Sequence, residues 1–252
     1  MPLLNRDGVN IHYEVTGQGP VVLCTHGYSL TGQMWAATAR ALAHHYRVVT
    51  WDIRGHGLSD SPSDPTAYTK ALALDDMAAL LDTVGTDQAV LMGHSLGGYL
   101  SLSFHVEHAD RIRALVLVGT GPGYRNPEAR AGWNRQAEER ARHFEQHGLA
   151  GLERPEAHGN RHRSAQGLAL AARGILAQHD GLVMEDLANI RVPTLIVVGA
   201  DDAPFLGASE YMEKRIAGSR RVVIPDAGHM PNLDQPERFG KVLGEFLDGL
   251  PR

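Results

Sequence analysis

The pentapeptide GHSLG at residues 93–97 constrains the fold of this chain more than any other feature. An apolar run at residues 89–92 leads into it, and apolar residues at helical spacing follow it. A serine in so tight a strand-to-helix turn has a strained backbone. Side chains two positions before and after it, where Gly93 and Gly97 stand, would collide with the strand and the helix. The pattern also arises by chance in loops, but the strand before it and the helix after it favour a nucleophile. We therefore predict that the Ser95 hydroxyl is exposed above a sheet, beside the first amides of the new helix.

A base and an orienting acid are needed to make a serine strongly nucleophilic. In sites of this kind the chain order is nucleophile, acid, base. The apolar run at residues 193–199 predicts a buried strand and leads to the pair Asp201-Asp202. Only one of the 14 histidines, His229, follows that pair. The order therefore predicts His229 as the base.

The acid has three candidates. Adjacent residues at a strand end point in opposite directions, so only one of Asp201 and Asp202 can reach the imidazole. The other would take part in a turn or cap the helix predicted near Leu206. Asp226 lies three residues before His229, in a segment with the composition of a loop. Strand-end alternation by itself leaves the choice open.

Four further segments resemble motifs of the α/β-hydrolase family and follow its order. They are His26-Gly27-Tyr28 after an apolar strand, DIRGHGLS at residues 52–59, GADD at 199–202, and GHMPNL at 228–233 with PERF at 236–239. The resemblance covers nearly the whole chain, and the set is far more specific than any single motif. It implies an α/β fold with a mostly parallel, doubly wound sheet and a small helical cap.

The same resemblance implies a role for each matched position. Ser95 is the nucleophile, His229 is the base, and Asp202, the last residue of the GADD segment, is the acid. The backbone amides of Tyr28 and Leu96 form the oxyanion hole. No metal or organic cofactor is implied. Related dehalogenases and epoxide hydrolases use aspartate as the nucleophile, so the serine argues against those two activities.

Alternating strand and helix patterns along the chain independently predict a mostly parallel sheet. Residues 125–191 interrupt the alternation, because they show helical patterns and no strand pattern. The resemblance implies that this stretch is a cap inserted above the sheet. We expect a single domain over residues 1–252, with a core at 1–124 and 192–252 and the cap at 125–191.

The cap is expected to select the substrate. One apolar stripe at helical spacing runs through it: Ala129, Trp133, Ala137, Ala141 and Phe144. The stripe is expected mainly to anchor the cap on the core. Four side chains in the cap or beside the proposed catalytic residues are candidates for a substrate pocket: Trp133, Phe144, Phe205 and Met230.

Two histidine-containing segments invite other interpretations. His158, Asn160 and His162 suggest a metal site, but a glycine-flanked basic segment with little carboxylate favours a surface loop. Arg54 and His56 lie among glycines, and we predict that they form a structural turn beside the pocket and take no part in catalysis.

Composition excludes several function classes. The net charge of −5 provides no basic field for nucleic acid or anionic lipid, so neither partner is expected. No apolar run approaches membrane-spanning length, and the first residues lack a signal-peptide pattern, so we expect a soluble cytoplasmic protein. The single cysteine, Cys24, is expected to be a core residue. The oligomeric state is left open.

Three functions fit these residues, and each of them involves a small molecule as substrate or ligand. The leading one is hydrolysis of a small or medium carboxylic ester or lactone. The second uses the same triad for hydrolysis of a carbon–carbon bond in a diketone-like acid, or for cofactor-free perhydrolysis with hydrogen peroxide. The third is a receptor that uses the fold to bind a small molecule, since a fold alone does not determine function.

Overall fold

One eight-stranded sheet forms the centre of the computed structural model, which describes residues 2–152 and 161–250. Its strands are β1 (Leu3–Arg6), β2 (Val9–Thr16), β3 (Val21–Thr25), β4 (Arg47–Trp51), β5 (Ala89–His94), β6 (Ile112–Val118), β7 (Thr194–Gly199) and β8 (Arg220–Ile224). Their order is β1-β2-β4-β3-β5-β6-β7-β8. Every pair from β4 to β8 in that order is parallel. The prediction of a mostly parallel α/β sheet is confirmed.

Antiparallel strands extend one edge of the sheet. β1 pairs with β2, and β2 pairs with β4. Asp7 and Gly8 connect β1 and β2 with positive φ angles of 51° and 88°, which suit a tight hairpin. β1 escapes prediction from the sequence, because its four residues alternate only between exposed and half-buried positions.

Helices cover the sheet between its strands. They are α1 (Ala36–Leu42), α2 (Lys70–Thr83), α3 (Leu96–His108), α4 (Pro127–His147), α5 (Ala165–Ala171), α6 (Leu182–Asp186), α7 (Ala203–Arg215), α8 (Pro231–Asp234) and α9 (Pro236–Asp248). A π-helical turn at Ala172–Leu176 extends α5, and 3-10 helices lie at Gly32–Trp35, Pro65–Ala67, Ala109–Arg111, Gly148–Gly151 and Leu187–Asn189. Within the described residues, no helix is long and apolar enough to cross a membrane.

The two faces of the sheet have separate apolar cores. Alternate residues of a strand point to opposite faces, so Leu91 of β5 packs with residues of α2 and α3. Its neighbours Val90 and Met92 pack on the other face with Phe239 of α9 and with Cys24. Burial raises the pKa of the Cys24 thiol. Helices on both faces confirm the doubly wound arrangement.

The described residues between β6 and β7 form helices and no strand. α4 begins at Pro127 because the Asn126 side chain accepts hydrogen bonds from two amides of the first turn. Along α4, Ala137 and Ala141 are fully buried in the core that includes α5, whereas Ala129 is exposed. The apolar stripe therefore packs inward from Trp133 onwards, and only its first residue is exposed.

His162 is buried against the core, and the predicted surface loop is wrong for this residue. Its Nδ1 accepts a hydrogen bond from the amide of Gly57 at 3.0 Å, and its Nε2 donates to the carbonyl oxygen of Ser29 at 3.1 Å. Both partners lie more than 100 positions away in the sequence, so local composition could not reveal them. The neighbouring His158 and Asn160 lie outside the described residues.

Buried charges hold the loop at residues 52–59. Arg54 forms a bidentate ion pair with Asp76, with N–O distances of 2.8 and 2.7 Å. The Asp52 carboxylate accepts hydrogen bonds from two backbone amides and from Nδ1 of His12. Burial acts to raise the pKa of Asp52, but these hydrogen bonds and the nearby His26 together outweigh it and lower the pKa. The loop is thus a structural turn that supports the neighbouring strands.

Candidate active site

Ser95 lies on a strained turn between β5 and α3. Its φ of 49° and ψ of −112° fall outside the regions that non-glycine residues normally occupy. A Cβ atom at Gly93 would lie 2.2 Å from the carbonyl oxygen of Gly97, and one at Gly97 would lie 2.2 Å from that of Thr25. Close backbone approach therefore requires glycine at both position 93 and position 97.

Hydrogen bonds from three elements hold the Ser95 backbone in this conformation. Its amide donates to the carbonyl oxygen of Val118 at 2.9 Å, and its carbonyl accepts from the amide of Tyr99 at 3.1 Å. The Thr120 hydroxyl donates to the same carbonyl at 2.7 Å. Thr120 carries no sequence signal of its own, but it lies just beyond the C-terminal end of β6, where functional residues of parallel sheets gather.

The Asp202 carboxylate accepts a hydrogen bond from Nδ1 of His229 at 2.9 Å. Asp202 is only 4% exposed, and although it precedes α7 its side chain caps no helical amide. The hydrogen bond places the proton of a neutral imidazole on Nδ1 and leaves Nε2 as an acceptor. The structure thus brings together the residues that the motifs predict as acid and base.

The other two acid candidates face solvent. Asp201 is exposed, and its backbone amide donates to the carbonyl oxygen of Ala227 at 2.9 Å. The Asp226 side chain is 80% exposed and forms an ion pair with Arg238. Neither carboxylate is hydrogen bonded to His229 within the described residues.

The loop that carries His229 packs tightly on the strand ends. A Cβ atom at Gly199 would lie 2.1 Å from the carbonyl oxygen of Gly228, so the first residue of the GADD segment has to be glycine. On the other side, Nε2 of His94 lies 2.9 Å from the backbone carbonyl oxygen of His229. The residue before Ser95 therefore supports the backbone of His229, a role that the pentapeptide pattern does not specify.

Phe205 fixes one face of the His229 ring. The two rings are stacked, with centroids 4.9 Å apart and an interplanar angle of 22°. The His229 side chain is 39% exposed, whereas Asp202 behind it is buried. The imidazole is thus oriented by a carboxylate and an aromatic ring and still opens to the surface.

Two backbone amides are available near Ser95. Leu96 is the first residue of α3, so its N–H has no acceptor within the helix. Tyr28 follows β3, and its amide donates no hydrogen bond within residues 2–152 and 161–250. Both residues line the same cavity as Ser95. Unused amides in such a place suit the negative oxygen of a tetrahedral intermediate.

A cavity of about 990 Å³ opens beside Ser95 and His229. Three of the predicted pocket residues line it: Trp133, Phe205 and Met230. Trp133 also donates a hydrogen bond from its indole N–H to the carbonyl oxygen of Leu176 at 2.9 Å. This residue therefore both anchors the cap helix and borders the cavity.

Phe144 does not line the cavity, so its pocket assignment needs correction. It is 5% exposed, and its ring packs edge-on against Tyr28 with centroids 6.2 Å apart. The physical reason is its place on α4. At a helical rise of about 1.5 Å per residue, Phe144 lies roughly 16 Å along the axis from Trp133, where the apolar stripe meets the core.

Three buried histidines lie near Tyr28. The ring centroids of His26 and His56 are 5.1 Å apart, and those of His56 and His162 are 5.8 Å apart. Burial lowers the pKa of each imidazole, so all three are uncharged at neutral pH. Within the part of the chain that the structure describes, no cluster of three His, Cys, Asp or Glu residues could hold a metal ion.

Comparison with known protein families shows which family this chain belongs to. A model described as the alpha/beta hydrolase family matches residues 21–242, a range that includes Ser95, Asp202 and His229. The chain belongs to the alpha/beta hydrolase family. The resemblance noted from the sequence motifs is thereby confirmed for this alpha/beta hydrolase.

Similar proteins align with the hydrolase over nearly its whole length. A 3-oxoadipate enol-lactonase 1 from Acinetobacter baylyi is 29% identical, over 98% of this chain and 97% of the relative. A pimeloyl-[acyl-carrier protein] methyl ester esterase from Aeromonas hydrophila is 28% identical, over 95% and 100%. The solved structure of a malate-bound thermophilic esterase from Thermogutta terrifontis is 31% identical, with a TM-score of 0.82 over 98% and 97%.

Proposed function

We propose that this alpha/beta hydrolase is a serine hydrolase that cleaves a small or medium carboxylic ester or lactone. The observation that carries the proposal is the 2.9 Å hydrogen bond between Asp202 and Nδ1 of His229, beside the cavity that Ser95 lines. It leaves Nε2 of His229 unprotonated, which is the form that a general base needs.

In the proposed reaction, Oγ of Ser95 attacks the carbonyl carbon while Nε2 of His229 takes its proton. The amides of Tyr28 and Leu96 stabilise the negative oxygen of the tetrahedral intermediate, and Asp202 stabilises the imidazolium. His229 then gives the proton to the leaving oxygen as the carbon–oxygen bond breaks, and an acyl-enzyme remains. Water attacks this ester while His229 takes one of its protons; His229 then returns the proton to Oγ of Ser95 as the acyl–oxygen bond breaks, and the acid is released.

Two points support an ester or lactone as the substrate. First, three relatives that align with nearly the entire chain are named as an enol-lactonase and two esterases. In addition, a cavity of about 990 Å³ fits a substrate of small to medium size. The serine at position 95 is consistent with acyl transfer, because the nucleophile forms an ester that water can cleave.

The proposal is tested with a substrate panel and one variant. The panel contains p-nitrophenyl esters from acetate to hexanoate, simple lactones, a vinylogous diketone acid and hydrogen peroxide with acetate. We expect hydrolysis of esters or lactones, and a loss of about 10⁴-fold in kcat in Ser95→Ala at an unchanged melting temperature. A fluorophosphonate should label the wild type at Ser95 only.

Three outcomes would contradict the proposal. Activity that survives in Ser95→Ala, or labelling at a different residue, would remove Ser95 as the nucleophile. Faster cleavage of the diketone acid, or efficient perhydrolysis, would assign the same three residues to the second class of reaction. Tight binding of panel members without turnover would favour a receptor.

A further inference from the structure

A positively charged side chain, Arg140, lines the cavity beside Ser95 and has no ion-pair partner among the described residues. Among its described lining residues, only Arg140 and Asp202 carry a fixed charge, and Asp202 is hydrogen bonded to His229. Within residues 2–152 and 161–250, the Arg140 guanidinium forms no ion pair and no side-chain hydrogen bond. Among the described residues, no carboxylate therefore competes with a bound molecule for Arg140.

Two neighbouring arginines, Arg142 and Arg173, are paired. Arg142 forms an ion pair with Glu138 at 2.9 Å. Arg173 in the π-helical turn bonds to Glu138 at 2.7 Å and to Glu145 at 2.9 Å. Glu138 and Glu145 are thus engaged by other guanidinium groups, and neither forms an ion pair with Arg140.

Arg140 and Tyr28 both line the cavity. Burial raises the pKa of the Tyr28 phenol, and the positive charges of Arg140 and Arg173 oppose this rise. The amide of Tyr28 is one of the two that we assign to the oxyanion hole, so Arg140 and the proposed site of the reacting carbonyl border the same cavity.

We propose that the substrate carries a carboxylate, in addition to the ester or lactone that Ser95 attacks, and that Arg140 binds this carboxylate. The inference rests on the proposed function and specifies its substrate class. A guanidinium matches a carboxylate because two parallel N–H groups can bond to its two oxygens. Gln136, one helical turn before Arg140, also lines the cavity and offers an amide to the same part of the substrate.

Matched pairs of substrates test for the carboxylate. On the acyl side, the monomethyl esters of glutarate, adipate and pimelate are compared with analogues in which an acetyl group replaces the free carboxylate. On the alcohol side, 4-acetoxybenzoate is compared with 4-acetoxybenzamide. For each pair, kcat/KM is measured by proton release at low and at high ionic strength.

We expect the wild type to prefer the anionic member of at least one pair by about tenfold or more, as a charge-assisted hydrogen-bond pair would give. Added salt should reduce this preference, because Arg140 is exposed. In Arg140→Met the ratio of anionic to neutral kcat/KM should fall towards one, and Arg140→Lys should retain part of it. Arg135→Met is the control, since Arg135 is an exposed arginine on the same helix that does not line the cavity.

Equal kcat/KM within every pair, or a preference that persists in Arg140→Met, would overturn the inference. A preference lost equally in Arg135→Met would also overturn it, because a general field would then explain the effect. Hydrolysis of p-nitrophenyl butyrate separates the two proposals. If the butyrate is cleaved and no pair shows a charge preference, the carboxylate inference fails and the serine hydrolase stands.

Binding gives a readout that does not need turnover. Calorimetry measures the affinity of Ser95→Ala for the three monomethyl esters, with Ser95→Ala/Arg140→Met as the matched protein. We expect at least tenfold weaker binding in the double variant. If no ester is cleaved by the wild type, the proposed function fails, and this comparison alone decides whether Arg140 forms a carboxylate site.

Discussion

The side chain of His94 holds the backbone of His229. Nε2 of His94 lies 2.9 Å from the carbonyl oxygen of His229, and the two ring centroids are 4.6 Å apart. A carbonyl oxygen can only accept, so His94 is the donor. The residue before the proposed nucleophile is thus bonded to the proposed base across 135 positions of the sequence.

This contact predicts a positioning role for His94. His94→Leu removes the donor, so the loop carrying His229 is less well fixed relative to Ser95. We expect kcat on an ester to fall about tenfold or more with little change in KM, because misplacement acts mainly on the transition state. His94→Gln can still donate and should recover part of the loss. Equal losses in both variants, or a change in KM alone, would contradict the positioning role.

The paired aspartates at the end of β7 give a second prediction. The buried Asp202 orients His229, so Asp202→Asn should lower kcat by about 10³ to 10⁴ with little effect on KM, because an amide can hold the ring in the wrong tautomer. Asp201 is the matched control: its side chain is exposed and only its backbone amide is used. Asp201→Asn should be nearly silent. A small loss in Asp202→Asn would point to another acid, and Asp226→Asn then becomes the informative variant.

Alanine substitutions at two positions of α4 should affect different properties: Trp133→Ala the acyl-chain specificity, and Phe144→Ala the stability. Trp133 lines the cavity, so Trp133→Ala should extend the range of acyl chains accepted beyond hexanoate. Phe144 is buried outside the cavity, so Phe144→Ala should cost about 3–5 kcal/mol of stability and leave the chain-length profile unchanged. Esters from acetate to decanoate and thermal unfolding measure the two properties. An unchanged profile with a lowered melting temperature in Trp133→Ala would show Trp133 to be only an anchor.

Two members of the proposed triad, Ser95 and His229, could be predicted from local geometry and chain order, whereas the choice of Asp202 over Asp201 needed the family resemblance of the GADD segment. Gly93 and Gly97 mark the turn at Ser95, because a Cβ atom at either position would collide with a backbone carbonyl oxygen. Asp202 and His229 follow the C-terminal ends of β7 and β8, and parallel strands bring such ends to one edge of the sheet. Chain order then selects one histidine.

Contacts between the cap and the core could not be predicted in the same way. A helical stripe shows that Phe144 is buried but not what covers it, and its partner Tyr28 is more than 100 positions away. Arg140 lies among other arginines of α4, and only the cavity distinguishes it from Arg135. His162 has a loop-like sequence around it, and its burial depends on backbone groups from two distant turns.

The burial of His162 predicts that the stability of the protein depends on pH. Burial lowers the pKa of His162 from 6.5 to about 4, and the nearby His26 adds to this. The unfolded chain therefore binds a proton at this position at a higher pH than the folded protein does. The stabilising contribution is complete above pH 6.5 and is lost as the pH falls from 6.5 towards 4. Within that window the contribution changes by up to about 1.4 kcal/mol per pH unit.

His162→Asn isolates this contribution, since asparagine can still accept the hydrogen bond from the Gly57 amide but does not titrate. Chemical unfolding at several pH values between 4 and 7 should give a free energy of unfolding that falls less steeply with acidification in the variant. Both proteins should still lose stability on acidification, because His26 and His56 are buried with lowered pKa values in each of them. The variant is expected to be less stable at pH 7, where it lacks the bond to the Ser29 carbonyl, and to approach the wild type near pH 4. Parallel curves for the two proteins would show that His162 does not resist protonation in the folded state.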